Sequence, residues 1–375
     1  MENRIQKGNP LRAIIAGGGT GGHVFPAIAI AMALRKKAYN AQILFVGARG
    51  RMEMQKVPKA GFHIIGLDIA GLHRRFSWKN LLLPWKIIKS LAGAKAIVKR
   101  FKPDIVIGVG GYASGPVLWV AARQNVPVLI QEQNSFPGLT NRMLAKKAGK
   151  ICVAYEGMDK YFKKEKIYVT GNPVRQDVVF TEGKQDQAFQ YFGLSRGKHV
   201  LLVMGGSLGA RTINESVQAH LGLFAEKGIQ LIWQTGKGHY QEALNHTAAL
   251  SGRQVSVSPF IDRMDYAYAV ADLVVSRAGA IAVSEICTVR VPAIFIPSPN
   301  VAEDHQTKNA MALVNHQAAI LLPDKEAKER LGEEVTSLIF DEEKKHRMKE
   351  KMAGMSHPDA ADMIAGVALG MASNE

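Results

Sequence analysis

Cysteine is nearly absent from this 375-residue chain: Cys152 and Cys287 are the only two, both in apolar surroundings and without C-x-x-C spacing. That scarcity excludes a disulfide framework and a structural zinc site, and a reducing compartment is expected. An export signal is missing too, because Met1 to Pro10 is polar and charged with no apolar core, so the protein is expected to stay inside the cell. No spanning helix is expected: the longest uncharged stretch, Ile105 to Ala122, contains Gly108, Gly110, Gly111, Gly115 and Pro116, which would leave backbone groups unpaired in lipid. Nucleic-acid-binding motifs are lacking, and lysine and arginine are scattered rather than gathered in one arm, which weighs against a nucleic-acid partner. There is no Asp-x-Asp at a strand end and no His/Cys cluster. No metal site can therefore be placed and no cofactor is called for, although a loosely bound divalent cation is compatible with the chain.

What is present is an excess of positive charge. A formal net charge of +16 implies an anionic partner, whether a phosphorylated substrate, an acidic lipid surface or nucleic acid. Hydrophobic residues make up 47% and charged residues 21%, enough apolar surface to offset chain entropy and exclude disorder. The length favours two domains.

Strand-length apolar runs alternate with amphipathic helical stretches, the pattern of parallel sheets covered by helices on both faces. Expected strands in the first half are Leu11–Ala16, Gln42–Val46, Ile105–Gly108, Val128–Gln131 and Lys150–Ala154. In the second half they are Val200–Met204, Gln230–Gln234, Val255–Val257, Leu273–Ser276 and Ala293–Pro297. The expected fold class is α/β, two Rossmann-like, doubly wound domains facing across a cleft. The turn-rich segment Gly171-Asn172-Pro173 separates them, giving expected domains 1–172 and 173–375, with the final helix from Ala360 to Ala372 able to pack back on the first.

Three glycine loops follow expected strands: Gly17-Gly18-Gly19-Thr20-Gly21-Gly22-His23, Gly110-Gly111-Tyr112-Ala113-Ser114-Gly115-Pro116 and Gly205-Gly206-Ser207-Leu208-Gly209-Ala210. Such loops let backbone N–H groups and a helix dipole approach phosphate. The first satisfies G-x-G-x-x-G, but the second strand ends in Val46-Gly47-Ala48-Arg49 with no carboxylate for a ribose diol, so a nicotinamide site loses support. A P-loop is excluded by the absence of Gly-Lys-Ser or Gly-Lys-Thr.

Read together with Glu132-Gln133-Asn134, Gly171-Asn172-Pro173-Val174-Arg175, Gln234-Thr235-Gly236, Ser276-Arg277-Ala278-Gly279-Ala280, Ser284-Glu285 and Asp304-His305-Gln306, these loops resemble the MurG family through nearly the whole chain. The resemblance implies a GT-B fold and inverting transfer of N-acetylglucosamine from UDP-N-acetylglucosamine to the C4 hydroxyl of N-acetylmuramic acid in undecaprenyl-diphosphoryl-N-acetylmuramoyl-pentapeptide (lipid I), giving lipid II. It places the enzyme peripherally at the cytoplasmic face of the bacterial inner membrane, with an anionic membrane surface and wall-synthesis proteins as partners. Three positions depart from the family pattern: Gln131 where histidine is common, Leu208 where glutamine is, and Arg290 where glycine is.

By resemblance, the donor site comprises Thr20, Gly21, Gly22, Asn134, Arg175, Ser207, Ile261, Ala280, Ile281, Ala282, Val283, Ser284, Glu285 and Gln306. Gly18, Gly19, Tyr112, Ser114 and Gly115 would meet the acceptor. Within the donor set, Glu285 would hold the ribose hydroxyls, Arg175 and Ser207 the diphosphate, the Ile261 backbone the uracil edge, and Gln306 and Asn134 the sugar. Without the resemblance, Glu285 reads as a carboxylate favoured near a helix N-terminus, worth at most about 1 kcal/mol. One general base is needed. His23 is the first candidate, since its pKa can lie near neutral, and Glu132 is the rival, since burial can raise a carboxyl into the useful range.

Between Leu72 and Lys99, Arg74, Arg75, Lys79, Lys86 and Lys89 interleave with Phe76, Trp78, Leu81, Leu82, Leu83 and Trp85, a mixture suited to a lipid surface or, equally, to a helix whose apolar side is core. Two alternatives share the fold or the ligand: a sugar-nucleotide 2-epimerase, and a non-catalytic binding module that never releases UDP.

Overall fold

The computed structural model describes residues 10–69, 83–206, 209–248, 250 and 255–373. Ser207, Leu208 and the expected membrane-facing residues Leu72, Arg74, Arg75, Phe76, Trp78, Lys79, Leu81 and Leu82 lie outside them. The chain divides into two compact units, Met1–Val174 with His357–Glu375, and Arg175–Ser356. The division thus falls two residues beyond the expected boundary, and residues 357–375 belong to the first unit rather than the second.

In the first unit, the strands are β1 (Arg12–Ala16), β2 (Gln42–Ala48), β3 (His63–Leu67), β4 (Ile105–Gly108), β5 (Val128–Glu132), β6 (Lys150–Val153) and β7 (Ile167–Val169). They form one parallel sheet in the order β3-β2-β1-β4-β5-β6-β7. Residues of β1 alternate between faces: Ala13 and Ile15 join the cluster with Ile30, Leu34 and Ile364, while Ile14 and Ala16 join the one with Val98, Leu118 and Val120. Both faces are therefore core, which is why these strands read as unbroken apolar runs. Each fully buried isoleucine or leucine contributes about 2 kcal/mol. The terminal helix Ala360–Ser373 lays Ala361, Ile364, Ala365 and Ala368 against Ala27, Ile30 and Ala31 of the helix Gly21–Lys37. His357, which leads into it, lies against Gly171, where an added Cβ would fall 2.3 Å from the His357 Cβ.

In the second unit, β8 (Val200–Met204), β9 (Gln230–Gln234), β10 (Val255–Ser258), β11 (Leu273–Ser276), β12 (Ala293–Phe295) and β13 (Ile320–Leu321) form a parallel sheet in the order β10-β9-β8-β11-β12-β13. It too is buried on both faces: Leu202 and Val274 face one cluster, Leu201, Val203 and Val275 the other. In each sheet, strand order reverses once, between β1 and β4 and between β8 and β11, and ligands of open α/β sheets bind outside the strand ends at such points. The two cysteines are core residues; burial pushes the Cys152 thiol up to about 12 and the Cys287 thiol to about 11. Among the described residues, no helix is long and apolar enough to cross a membrane.

Candidate active site

The first loop leaves β1 at the reversal point and enters the helix Gly21–Lys37. Gly19 has φ +94°, a left-handed conformation that favours glycine. The loop after β4 packs directly on it. Gly111, at φ +80°, lies so close that an added Cβ would sit 2.3 Å from the Gly18 carbonyl oxygen. Gly110 lies under the His23 ring, its notional Cβ 2.8 Å from Cδ2 and 2.9 Å from Nε2. His23, in the first turn of its helix, is half-buried, and its Nδ1 is 3.1 Å from the Thr20 hydroxyl. Pro26 gives no N–H to the Gly22 carbonyl, keeping that oxygen outside the helix ladder. Next in the second loop, Tyr112 is exposed, Ser114 is buried with its hydroxyl donating to the Gly111 carbonyl at 2.8 Å, and Gly115 is half-buried at the start of the helix Ser114–Arg123.

Glu132 ends β5 fully buried, with four donors on its carboxylate. The Asn134 N–H (3.0 Å) and Nδ2 (3.2 Å) donate to Oε1; the Gly138 N–H (3.0 Å) and Asn141 Nδ2 (2.8 Å) donate to Oε2. Burial drives its pKa up, and these hydrogen bonds oppose the rise. The carboxylate closes the turn that carries Asn134 and leads into the helix Leu139–Leu144. Beside it, Gln131 Nε2 donates to Asn172 Oδ1 at 3.1 Å, Gln133 Nε2 to the Val109 carbonyl at 2.7 Å and to Gln131 Oε1, and Asn172 Nδ2 to the Gln133 carbonyl at 2.9 Å. Gln131, the departure from the family pattern, is thus a satisfied member of a buried amide network, acting as donor and acceptor at once.

In the second unit, the loop after β8 is held from β9. Gln234 Nε2 donates to the Gly206 carbonyl at 3.0 Å, while its Oε1 accepts the Ile261 N–H at 3.0 Å. Gly209, φ +80°, abuts Thr235, whose oxygen would lie 2.2 Å from an added Cβ. The helix Ala280–Val289 opens right after β11, at the second reversal point. Its first hydrogen bond into the preceding loop runs from the Val283 N–H to the Gly279 carbonyl at 2.9 Å, so the N–H groups of Ala280, Ile281 and Ala282 are those a helix start offers to an anion. Ser284, half-buried, turns its hydroxyl back to the Ala280 carbonyl at 3.0 Å.

Glu285, on the second turn, is buried between two groups: Arg175 Nε is 3.5 Å from Oε1, and the Tyr268 hydroxyl donates to Oε2 at 3.3 Å. Tyr268 is fully buried, which holds its phenol well above the usual tyrosine range. Gln306 Oε1 accepts the Ser298 N–H at 2.8 Å, and Asn309 Nδ2 reaches the Ala278 carbonyl at 3.4 Å. Leading into them, Glu303 and Asp304 sit at φ +56° and +49°, a strained approach to the helix His305–Val314. The second unit thus gathers Arg175, Gly206, Ile261, Glu285 and the helix start after β11, whereas the first gathers Thr20, His23, Gly110, Ser114 and Asn134 around its own reversal point. Among the described residues no three His, Cys, Asp or Glu side chains are grouped as a metal site.

Four contributors escaped the reading of the sequence as site residues. Gln234 and Arg277 lie in quoted motifs, and Arg277 braces the turn after β11 by donating to the Ile296 and Pro297 carbonyls and to Asp324. Tyr268 has the spacing of an ordinary core residue. Glu53, in the first turn of the helix Glu53–Lys59, reads as a carboxylate placed for the helix dipole, yet it is buried and accepts the N–H groups of Gly19 at 3.0 Å and Ala48 at 2.9 Å.

Comparison with known proteins agrees in both halves. The model of the glycosyltransferase family 28 N-terminal domain matches residues 13–153, and that of the family 28 C-terminal domain matches residues 200–364. A protein of Parabacteroides distasonis named UDP-N-acetylglucosamine–N-acetylmuramyl-(pentapeptide) pyrophosphoryl-undecaprenol N-acetylglucosamine transferase is 52% identical over 353 residues, covering 94% of this chain and 96% of its own. The protein of that name from Bacteroides fragilis is 50% identical over 365 residues, covering 97% and 96%. Among solved structures, MurG of Acinetobacter baumannii superposes with a TM-score of 0.76 at 28% identity, covering 96% of this chain and 99% of its own. A UDP-GlcNAc 2-epimerase from Neisseria meningitidis reaches a TM-score of 0.70 at 14% identity, over 96% of this chain and all of its own, which shows a shared fold alone. With half its residues identical to such transferases over nearly its whole length, and both domain models matched in order, this chain belongs to the MurG family of glycosyltransferase family 28.

Proposed function

We propose that the protein transfers N-acetylglucosamine from UDP-N-acetylglucosamine to the C4 hydroxyl of the N-acetylmuramoyl unit of lipid I, giving lipid II and UDP with inversion at the anomeric carbon. The observation that carries this reading is the 52% identity, over 94% of the chain, to a transferase bearing that name. The site geometry supports the following roles.

In the second unit, Glu285 accepts hydrogen bonds from the ribose hydroxyls, while the helix start at Ala280, Ile281 and Ala282 and the guanidinium of Arg175 receive the diphosphate. Val283 and Ser284 complete that turn, Gln306 takes the sugar, and Ser207, by resemblance to the family, shares the diphosphate with Arg175. Arg175 and Glu285 pair with each other in the structure, so a nucleotide takes both partners of an existing ion pair rather than two solvated side chains. The Ile261 N–H is engaged by Gln234, so a base edge would meet its carbonyl. As UDP departs, Arg175 neutralises the developing negative charge.

In the first unit, His23 is the general base for the acceptor hydroxyl. Glu132 is spent on four donors that shape the turn bearing Asn134, and using it as a base would require breaking one of them. Gly18, Gly19, Tyr112, Ser114 and Gly115 form the acceptor-facing loops, while Thr20, Gly21 and Gly22 meet the donor sugar from the first unit. A divalent cation, where present, would accompany the diphosphate rather than occupy a protein-built site.

Docking on an anionic membrane is supported by the helix Leu83–Phe101, where Trp85 is 69% and Ile88 58% exposed, flanked by exposed Lys86 and Lys89, while Ser90, Ala94 and Val98 face the core. Such docking would bring the enzyme to its lipid substrate and to wall-synthesis proteins at the cytoplasmic face. UDP release from UDP-N-acetylglucosamine with and without a soluble lipid I analogue tests the activity, with UDP-glucose and UDP-N-acetylgalactosamine as controls. Acceptor-dependent, N-acetylglucosamine-selective release with a disaccharide product is expected; acceptor-independent release, or none, would overturn it.

A further inference from the structure

Glu53 has no part in the chemistry described above, yet the molecule is built around it. Glu53 is 1% exposed, and among the described residues no basic side chain is bonded to its carboxylate; its two partners are the N–H groups of Gly19 (to Oε2) and Ala48 (to Oε1). These belong to different segments, the loop after β1 and the end of β2. Room for the side chain is made by two glycines. A Cβ on Gly18 would lie 2.3 Å from Glu53 Oε1, and one on Gly47 would lie 2.6 Å from Glu53 Cγ. Gly18 is therefore explained by the carboxylate behind it, and the Gly19 N–H points back into the protein rather than toward a ligand.

The consequence follows along the chain. Gly19 precedes Thr20, whose hydroxyl meets His23 Nδ1, and the carbonyl of Gly18 rests against Gly111. Three consecutive glycines have little conformational preference of their own, so without an anchor the loop would sample many shapes and Thr20 and His23 with it. We propose that Glu53 is the positioning residue of the acceptor loop: by tying Gly19 to Ala48 it sets where Thr20 and His23 stand for the reaction. This rests on the transferase reading and adds a residue to it. The alternative is that Glu53 merely stabilises the first unit, and the two differ in what a substitution moves.

The test uses the full chain. Glu53→Ala and Glu53→Gln are compared with the wild type for kcat and acceptor KM with a soluble lipid I analogue, for UDP affinity by calorimetry, and for amide exchange at Gly19. For Glu53→Ala, which removes both charged hydrogen bonds, acceptor kcat/KM is expected to fall at least about tenfold, with UDP affinity within about twofold and faster Gly19 exchange. Glu53→Gln, which can accept only one of the two N–H groups, is expected to fall between. Gly47→Ala adds a methyl whose nearest neighbours are Glu53 and the tip of Ile64; it should reproduce the loss alone and add nothing to Glu53→Ala. Wild-type kcat/KM in Glu53→Ala, unchanged Gly19 exchange, or a loss of UDP affinity parallel to the loss of turnover would overturn the proposal. Should Glu53→Ala fail to fold, Glu53→Gln and Gly47→Ala carry the same criteria. If the wild type shows no acceptor-dependent release while Gly19 exchange still accelerates in the variants, the transferase reading falls and the anchoring of the loop stands.

Discussion

Thr20 addresses His23 from one turn away, its Oγ1 3.1 Å from Nδ1, while the Nε2 side of the imidazole lies over Gly110. A hydroxyl can donate or accept, so it can serve either tautomer at Nδ1, and in the role proposed for His23 the proton would be taken at Nε2. The pairing requires the short hydroxyl side chain and the glycine together, since a Cβ at position 110 would collide with the ring.

His23→Ala is therefore expected to lower acceptor-dependent turnover about 10²–10⁴-fold, the usual worth of a positioned base, with UDP affinity unchanged within about twofold. Thr20→Val should cost less, about tenfold. Steady-state kinetics beside calorimetric UDP binding separates the two effects; a parallel loss of UDP affinity would remove His23 from the role of base.

Glu285 makes the opposite prediction. Replacing it by alanine leaves Arg175 and Tyr268 without the carboxylate they share and removes the proposed ribose acceptor, so UDP affinity should fall about 10–100-fold, the range for hydrogen bonds to a charged group. Tyr268→Phe deletes only the hydroxyl behind the carboxylate and should cost about fivefold. Arg175→Ala should weaken UDP more than uridine, because the role proposed for its guanidinium is at the diphosphate. Equal UDP affinity in Glu285→Ala would end the ribose assignment.

How much of this could be read without coordinates follows from where each residue stands. All ten expected strands form: nine lie inside their sheets, buried on both faces with apolar runs, and the tenth, at Val255–Val257, is the half-buried edge strand β10, betrayed by its alternating valines. The three that went unread, β3, β7 and β13, are edge strands. In β7, Tyr168 and Val169 are more than a third exposed, and β13 is two residues long, so neither carries a run to detect. The glycine loops were legible because close backbone approach demands glycine; Glu53 was not, since nothing in an Arg-Met-Glu sequence at a helix start says that its carboxylate turns inward. The return of the terminal helix to the first unit was left open because its alanine-rich face fits either core.

Arg290 shows how a departure from the family pattern becomes physical. It closes the helix Ala280–Val289 in the left-handed conformation, φ +55° and ψ +41°, with its N–H returning to the carbonyls of Cys287 and Ile286. Glycine is the residue that adopts this position without steric cost. Arg290→Gly is accordingly expected to stabilise the protein by about 1 kcal/mol, read as a higher urea midpoint with unchanged slope. A lower midpoint would mean that contacts of the arginine side chain outweigh the backbone strain.

Asp265 contributes to acid sensitivity in the same unit. It is buried, accepts both Nε and Nη2 of Arg263 at 2.9 and 2.7 Å, and pairs with Lys184 at 3.1 Å. The Arg263 hydrogen bonds foremost, then Lys184, hold its pKa down at about 2 against an ordinary 3.8, while burial opposes them. Because the folded value is the lower one, the stabilisation is fully present above about pH 4 and is lost as the pH falls through about 2, amounting to about 2 kcal/mol at neutrality. Asp265→Asn should therefore be about 2 kcal/mol less stable than the wild type at pH 7, and the gap should close on acidification toward pH 2. A gap that stays constant from pH 7 to pH 2.5 would assign the loss to packing rather than to the ionised carboxylate.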